Sequence, residues 1–266
     1  MSALLHVEGL GLTTAAGPVF SDLTFTLEPA TLSVVLGPSG SGRSAVLLAV
    51  CGRLKGVTGS VRLGGRAART RSGDLRRRTA VARVATLVGP EDSLTVAESV
   101  TERALIDGVH PARAEAAFAA AEEILAVTFP RSVLVAELGA YEQALLCVAL
   151  AGMRPADLVV LDDADHGLDV ASQTRMFEAL QRLCVTGWTV LVASTEPAAV
   201  PAGATVVALE PRLPRTGAAT ADESSPGAGP EATLADEPAG VPATADVSAP
   251  APTRVTTPAP DDEETF

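Results

Sequence analysis

Several residue types are scarce in this sequence of 266 residues, and each shortage argues against a class of site. The three cysteines, Cys51, Cys147 and Cys184, lie inside apolar segments without CxxC spacing. This pattern predicts buried, reduced thiols rather than a disulfide framework or a zinc site. The three histidines are scattered along the chain, and aromatic residues make up only 3% of it. Neither a histidine metal site nor a catalytic triad is therefore indicated.

Long apolar runs are also missing. The longest one, Ala144 to Met153, is far shorter than a membrane span. The first residues, MSALLHVEGLGL, have no basic region and do not resemble a signal peptide. These features predict a cytoplasmic protein that lies peripherally on the inner face of the cell membrane.

Acidic residues exceed basic ones, and the excess is concentrated near the C-terminus. The net charge is −12, and residues 216–266 contain ten acidic residues and one basic residue, Arg254. Ten of the 19 prolines lie beyond residue 210. With no apolar periodicity, this stretch cannot bury enough surface to offset its loss of chain entropy. We therefore predict a disordered, Ala/Pro/acid-rich tail at 211–266.

A glycine-rich segment follows a short apolar run. Leu32 to Leu36 predicts a buried strand, and the segment GPSGSGRS leads from it into a helical pattern beginning near Ser44 and ending near Leu54. A glycine turn between a strand and a helix N-terminus exposes backbone N–H groups that bind phosphate. The phosphate-binding candidates are Gly37, Pro38, Ser39, Gly40, Ser41, Gly42, Arg43, Ser44 and Ala45.

This segment departs from the phosphate-loop pattern G-x-x-x-x-G-K-[ST] at one position. Arg43 stands where the lysine belongs. The Ser44 hydroxyl is a candidate ligand for Mg²⁺. The chain has one lysine and 19 arginines, so a general drift from lysine to arginine would explain this single change.

Alternation of strands and helices predicts the fold class. Strands are expected at 6–12, 19–27, 60–63, 84–88, 158–161, 188–193 and 205–209, with a turn at Gly17-Pro18. A capping box at Thr95 and Glu98 begins a helix, Pro111 begins the next, and a third covers 143–152. We predict an α/β P-loop NTPase core at 1–210 with a mostly parallel sheet, an antiparallel β edge and an inserted helical subdomain at about 92–153.

A second candidate phosphate element lies at the end of the strand Leu158 to Leu161. Asp162 and Asp163 follow the four apolar residues, and Gly167-Leu168-Asp169 comes shortly afterwards. A carboxylate at the end of a strand beside a phosphate loop orients Mg²⁺ and its water. Asp162 is therefore the second candidate Mg²⁺ ligand.

The order of these segments resembles the nucleotide-binding subunit of an ATP-binding cassette (ABC) transporter. LTVAE at 94–98 is similar to the stretch that opens the family's helical subdomain, and LDDADHGLD at 161–169 is similar to LDEPTSGLD. The resemblance implies an ATP- and Mg²⁺-binding subunit that pairs with itself or another cassette and couples to a transmembrane permease. Asp163 stands at the position of the family's catalytic glutamate.

Several other positions depart from the family pattern. LVGP at 87–90 has no glutamine, LGAYE at 138–142 replaces LSGGQ, and Thr195 replaces the switch histidine. No aromatic residue lies between Gly9 and Gly17 to stack on adenine. The shorter side chain of Asp163 withdraws its carboxylate by about 1.5 Å, and such a displacement can reduce a rate roughly a hundredfold. The sequence therefore predicts weak or lost hydrolysis.

Two further functions remain open from the sequence alone. One is a non-hydrolysing regulatory or scaffolding protein with a cassette fold. The other is a P-loop kinase, although LTVAE and GLD in this order are not expected there. The basic segment 53–83 is either a solvated surface or a contact for a membrane partner or anionic lipid. No nucleic-acid partner is expected, because the segment has no aromatic residue for base stacking.

Overall fold

The computed structural model describes residues 3–68, 73–84 and 87–210. The strands are β1 (Leu5–Thr14), β2 (Gly17–Leu27), β3 (Leu32–Leu36), β4 (Val57–Leu63), β5 (Arg66–Ala68), β6 (Thr79–Arg83), β7 (Leu158–Leu161), β8 (Val190–Ser194) and β9 (Thr205–Ala208). The helices are α1 (Arg43–Val50), α2 (Gly73–Arg78), α3 (Val96–Asp107), α4 (Pro111–Leu125), α5 (Ala140–Ala151) and α6 (Val170–Val185), and a 3₁₀ turn covers Val135–Glu137.

A five-stranded parallel sheet has the order β6-β7-β8-β3-β9. Alternate residues of its strands enter two separate cores. Val34, Val159 and Val192 face one core together with α3 to α6, whereas Val35, Val160 and Leu191 face the other with α1 and strands β1, β2 and β4. Burial on both faces explains why these strands read as continuous apolar runs. The predicted α/β class with a mostly parallel sheet is confirmed.

A four-stranded antiparallel sheet, β2-β1-β4-β5, forms the predicted β edge. The turn prediction at Gly17-Pro18 is wrong, because Gly17 pairs with Thr14 and Pro18 pairs with Thr13 inside the ladder. The chain turns at residues 15–16 instead. Pro18 is tolerated in β2 because this strand lies at the sheet edge, where a missing N–H leaves no neighbour unpaired.

The strand expected at 84–88 is also misplaced. The strand is β6, Thr79–Arg83, and Val84 forms only an isolated bridge with Val88. Polar residues at both ends of β6 concealed it in the sequence. The Thr79 hydroxyl donates to the Leu75 carbonyl, and the Arg83 guanidinium donates to the Asp163 carbonyl, so both are satisfied within the fold.

Most predicted helices are present, with shifted ends. The capping box of α3 is confirmed, since the Glu98 N–H donates to the Thr95 hydroxyl and the Thr95 N–H donates to the Glu98 carboxylate. Helix α1 ends at Val50 rather than Leu54, because Gly52 adopts a left-handed conformation with φ of 67°. Helix α5 begins three residues earlier than expected, and β8 begins two residues later.

Helix α5 belongs to the core that the helices share with the parallel sheet. Its residues 144–151 are all buried, and it packs against β6 as well as α3, α4 and α6. The assignment of 92–153 to a separate subdomain stays a prediction. The predicted tail at 211–266 lies outside the described residues. No helix in the described ranges is long and apolar enough to cross a membrane.

Several arginines of the basic segment, among those whose side chains the structure describes, are engaged within the chain. Arg53 donates to Thr79, Arg78 pairs with Asp157, and Arg83 donates to the backbone after β7. The side chains of Arg76 and Arg77 are exposed. These contacts join parts of the fold, whereas the exposed Arg76 and Arg77 remain accessible to a partner or lipid, and Arg77 lies 3.9 Å from the Asp74 carboxylate.

Candidate functional site

The phosphate loop joins β3 to α1 at the carboxyl edge of the parallel sheet. Gly40 and Gly42 have φ of 78° and 95°, a left-handed conformation that favours glycine. Gly37 is required for a different reason, because a Cβ there would lie 2.7 Å from the Ser41 hydroxyl and 2.8 Å from the Leu209 carbonyl oxygen. Pro38 and Ser39 form the exposed tip. The loop therefore has the backbone path that its glycines predict.

The loop leads into a helix N-terminus without a side-chain cap. Gly42 is the N-cap of α1 and has no side chain to cap it, and the first helical hydrogen bond runs from the Val46 N–H to the Gly42 carbonyl. The N–H groups of Arg43, Ser44 and Ala45 consequently have no acceptor inside the helix. Together with the helix dipole, they favour an anion at this end of α1.

The Arg43 side chain turns back onto the loop itself. Its Nη1 donates to the carbonyl oxygens of Gly37 at 2.6 Å and Pro38 at 2.7 Å. Its Nη2 donates to Oδ1 of Asp163 at 2.9 Å. The side chain is only 8% exposed, and its Nε has no hydrogen-bond partner among the described residues. Arg43 thus binds the loop and the end of β7 at the same time.

Asp162 lies at the end of β7, beside the start of α1. Its carboxylate accepts a hydrogen bond from the Asp163 N–H, whereas its buried Oδ2 has no partner in the described part of the chain. Burial raises the pKa of Asp162, although the neighbouring Ser44 hydroxyl opposes this effect. A buried carboxylate with a free oxygen next to a serine hydroxyl suits the hard-oxygen chemistry of Mg²⁺.

Asp163 has a constrained backbone. Its φ of 45° is left-handed, which is uncommon for a residue other than glycine. The Arg83 guanidinium donates to its carbonyl oxygen at 2.7 Å, and the Asp162 carboxylate accepts its N–H at 3.0 Å. These contacts fix the turn after β7, and the Asp163 carboxylate meets Arg43 from there. Asp163 is 32% exposed.

Thr195, at the end of β8, contacts the segment after β7. Its N–H donates to Oδ2 of Asp165 at 2.7 Å, and its hydroxyl donates to the same oxygen. Burial alone would raise the pKa of Asp165, but the hydrogen bonds from Thr195 outweigh it and lower that pKa below its ordinary value. Residues after β3, β7 and β8 thus meet at one edge of the sheet, as expected for parallel strands.

The ABC transporter family model matches residues 20–166, more than half of the chain. The chain belongs to the ABC transporter family. It is 33% identical over 195 residues to the hemin import ATP-binding protein HmuV of Pseudomonas entomophila, an alignment that covers 71% of this chain and 76% of HmuV. It is 29% identical over 182 residues to the zinc import ATP-binding protein ZnuC of Pseudomonas fluorescens, covering 68% of this chain and 63% of ZnuC.

Solved structures show the same cassette fold. CbiO1 from Clostridium perfringens, part of the ABC transporter complex cbiONQ, superposes with a TM-score of 0.68 at 16% identity, covering 79% of this chain and 85% of that one. An ATP-binding subunit of an ABC transporter superposes with a TM-score of 0.61 at 20% identity, covering 77% and 85%. Together with the family model and the curated relatives, this fold identifies the chain as an ABC-type nucleotide-binding subunit.

In this ABC cassette, the segment LGAYE begins helix α5. Gly139 is the N-cap, and a Cβ at Gly139 would lie 2.5 Å from Oε2 of Glu142, whose carboxylate therefore folds over the helix start. The Tyr141 ring stacks under the Arg175 guanidinium, whose Cζ is 4.6 Å from the ring centroid. A bulky ring and a carboxylate thus occupy a helix start where the family motif has glycine and glutamine.

Two residues of the site carried no signal in the sequence. Arg83 appeared as one arginine of a basic segment, yet it holds the carbonyl of Asp163. Asp165 appeared only as a letter within LDDADHGLD, yet it holds Thr195. Both act through contacts between segments distant in sequence, and no local pattern marks such contacts.

Proposed function

We propose that this ABC subunit binds Mg–ATP through its phosphate loop, couples it to a transmembrane permease of an import system, and hydrolyses it slowly or not at all. The observation that carries nucleotide binding is a pair of buried polar atoms without partners in the described chain: Ser41 Oγ and Asp162 Oδ2. They belong to residues in and beside the same loop. Buried polar atoms normally have partners, so their grouping indicates a polar ligand.

In this proposal, Mg²⁺ and the nucleotide bind to different groups of the protein. The Ser44 hydroxyl and Asp162 carboxylate hold Mg²⁺, which supplies positive charge to the phosphates. The N–H groups of the loop and of α1 bind phosphate oxygens, and this contribution does not depend on side-chain identity. It can therefore persist although the lysine is absent.

Nucleotide binding is tested by calorimetry with ATP, in Mg²⁺ and in EDTA. We expect Ser44→Ala to weaken the affinity measured in Mg²⁺ and to leave the affinity in EDTA nearly unchanged. Thr174→Ala, an exposed hydroxyl on α6, serves as the matched control. Absence of binding by the wild-type protein at millimolar ATP would contradict the proposal. The scaffolding function would then be preferred.

Slow hydrolysis is inferred from the side chains around the loop. Asp163 is engaged by Arg43, and Thr195, whose hydroxyl is bound to Asp165, cannot exchange protons as an imidazole does. Steady-state phosphate release measures this directly. A wild-type turnover of about 1 s⁻¹ or more, within the ordinary enzyme range, would show that hydrolysis is intact.

A groove between α3 and the segment after β6 is the proposed permease contact. It encloses about 220 Å³ and is lined in part by Gly89, Pro90 and Arg103. Leu87 and Ile106 border it and are each 72% exposed. We infer that an amphipathic cytoplasmic segment of the permease covers these apolar side chains, because a transporter cassette must contact its membrane subunit. This contact places the subunit peripherally on the inner face of the membrane.

Import is the proposed direction of transport, because HmuV and ZnuC are both named as import ATP-binding proteins. The alternative is a regulatory or scaffolding pseudo-ATPase with the same fold. The occupied Arg43 and the Glu142 carboxylate at the start of α5 favour that alternative. Copurification with a permease, together with nucleotide binding, supports the transport subunit; a permease without any nucleotide binding supports the scaffold.

A further inference from the structure

We propose that Arg43 and Asp163 act as one positioning unit, an internal ion pair that fixes the phosphate loop and keeps the Arg43 charge away from the nucleotide. This inference rests on the proposed nucleotide binding at the same loop. It reverses the role that position 43 suggests, because the side chain at the phosphate-contacting position binds the protein instead.

The hydrogen bonds of the Arg43 guanidinium are the first support for this ion pair. A guanidinium has five N–H donors in a rigid plane. The Arg43 guanidinium donates to three acceptors in two parts of the chain: the Gly37 and Pro38 carbonyls of the loop and the Asp163 carboxylate after β7. A compact ammonium cannot span this arrangement in one plane. Arg43 is therefore shaped for the contacts it makes within the chain.

The fixed backbone of Asp163 is the second support for this ion pair. Its left-handed backbone is held from both sides by Arg83 and by the Asp162 carboxylate. The Asp163 carboxylate thus meets Arg43 from a fixed position rather than by chance rotation of an exposed side chain. A mobile surface pair would contribute little, whereas this pair joins an 8% exposed cation to a fixed carboxylate.

The charges of Arg43 and Asp163 predict how a substitution in the pair affects nucleotide affinity. Asp163 neutralises the positive charge of Arg43, and its own negative charge lies beside the loop that receives phosphate. Replacing Asp163 by asparagine removes that neutralisation and leaves a buried cation next to the phosphate site. The Arg43 charge then attracts phosphate, so nucleotide binding should become tighter only when Arg43 is present.

The test is a double-mutant cycle on ADP affinity, measured by calorimetry for the wild type, Asp163→Asn, Arg43→Gln and the double variant. ADP is chosen because it has no γ-phosphate to hydrolyse, so blocked hydrolysis cannot mimic tighter binding. Glutamine at 43 retains a donor for the loop carbonyls. We expect Asp163→Asn to tighten ADP binding about tenfold in the Arg43 background and less than about twofold in the Arg43→Gln background.

Two outcomes on this measurement would overturn the inference. An equal gain in both backgrounds would mean that Asp163 merely repels phosphate, independently of Arg43. No gain in the Arg43 background would mean that the guanidinium is not restrained by Asp163.

A second cycle uses the thermal unfolding midpoint of the nucleotide-free protein, so the pair is tested even if no variant binds nucleotide and the proposed function fails. The midpoint shifts of Arg43→Gln and Asp163→Asn should be clearly non-additive. The control is the exposed pair Glu8–Arg62, whose charged atoms are 3.8 Å apart, with Glu8→Gln and Arg62→Gln expected to be additive. Additive shifts at positions 43 and 163 would refute the ion-pair unit.

Discussion

At the scale of single residues, the site differs from the family pattern through side chains that contact one another. Arg43 pairs with Asp163, and Thr195 pairs with Asp165. In each pair, a side chain at a position that the family motif directs at the nucleotide or its water contacts another side chain of the protein instead. The backbone features, namely the glycine conformations and the uncapped start of α1, are retained. In the proposed function, the backbone therefore supports nucleotide binding, whereas hydrolysis depends on these side chains.

The first prediction concerns restoring the family residues at these two positions. Arg43→Lys combined with Asp163→Glu supplies a compact ammonium and a longer carboxylate, so the reacting groups can approach the nucleotide. We expect phosphate release to rise at least about tenfold, since a displacement of about 1 Å is worth up to a hundredfold in rate.

The two single variants are the controls for this measurement. Each single variant keeps one original residue of the pair beside one replaced residue. Its rate of phosphate release should therefore rise less than that of the double variant. A double variant as slow as the wild type would show that Thr195, Tyr141 or Glu142 limits hydrolysis instead.

At the scale of secondary-structure elements, ionic contacts join α4 to the loop that follows it. Glu122 accepts hydrogen bonds from the Arg131 guanidinium and from the Phe129 N–H, and the Arg131 guanidinium stacks on the Phe118 ring. Burial opposes ionisation of Glu122, but these hydrogen bonds dominate and lower its pKa below the ordinary value. Glu122 thus links the end of α4 to the loop that follows it.

The second prediction follows from this lowered pKa. A carboxyl group with a lowered folded-state pKa contributes stability that is present above its unfolded pKa of about 4.3 and is lost as the pH falls through the folded value. We expect the free energy of unfolding to fall on acidification below about pH 4.3, and Glu122→Gln to show a weaker fall. Urea unfolding from pH 3 to pH 7 measures it, with Glu123→Gln, an exposed neighbour, as the control. If the free energy of unfolding of Glu122→Gln fell with decreasing pH as steeply as that of the wild type, the prediction would be wrong.

The third prediction concerns the groove beside α3. Ile106→Glu places a charge on the apolar surface that we assign to the permease, and burying an unpaired charge is costly. Recovery of the permease with the subunit purified from native membranes should fall at least about tenfold. Val185→Glu is the control, because Val185 is 89% exposed at the end of α6 and outside the groove. Equal recovery with both variants would exclude the groove as the contact.

At the scale of the whole molecule, most of the excess of acidic over basic residues lies in 216–266. The described residues form the two cores around the parallel sheet, whereas residues 216–266 carry ten acidic residues and one basic residue. Pairing of two such subunits has a direct consequence. A homodimer would combine the Arg43–Asp163 pair with LGAYE in both sites, whereas an intact partner cassette would supply a functional signature to one of them.

The fourth prediction addresses the tail. Truncation after Glu210 removes the segment expected to be disordered, so the melting temperature and the ATP affinity should both be unchanged. Thermal unfolding and calorimetry of the truncated and full chains measure this. A large decrease in either quantity would show that the tail contacts the cassette.

The sequence alone determined the parts of this protein that depend on local interactions. Apolar runs specified β3 and β7, glycines specified the phosphate loop, and the capping box at Thr95 specified the start of α3, because backbone preference and burial act over a few residues. Strand β6 was misplaced because its pairing with β7 is long-range, and the turn at 15–16 was misplaced because the register of the β1–β2 hairpin decided it. Only the tertiary structure decided the Arg43–Asp163 contact, between residues 120 positions apart. Such a contact depends on how β3 and β7 align in the sheet, and no local pattern encodes that alignment.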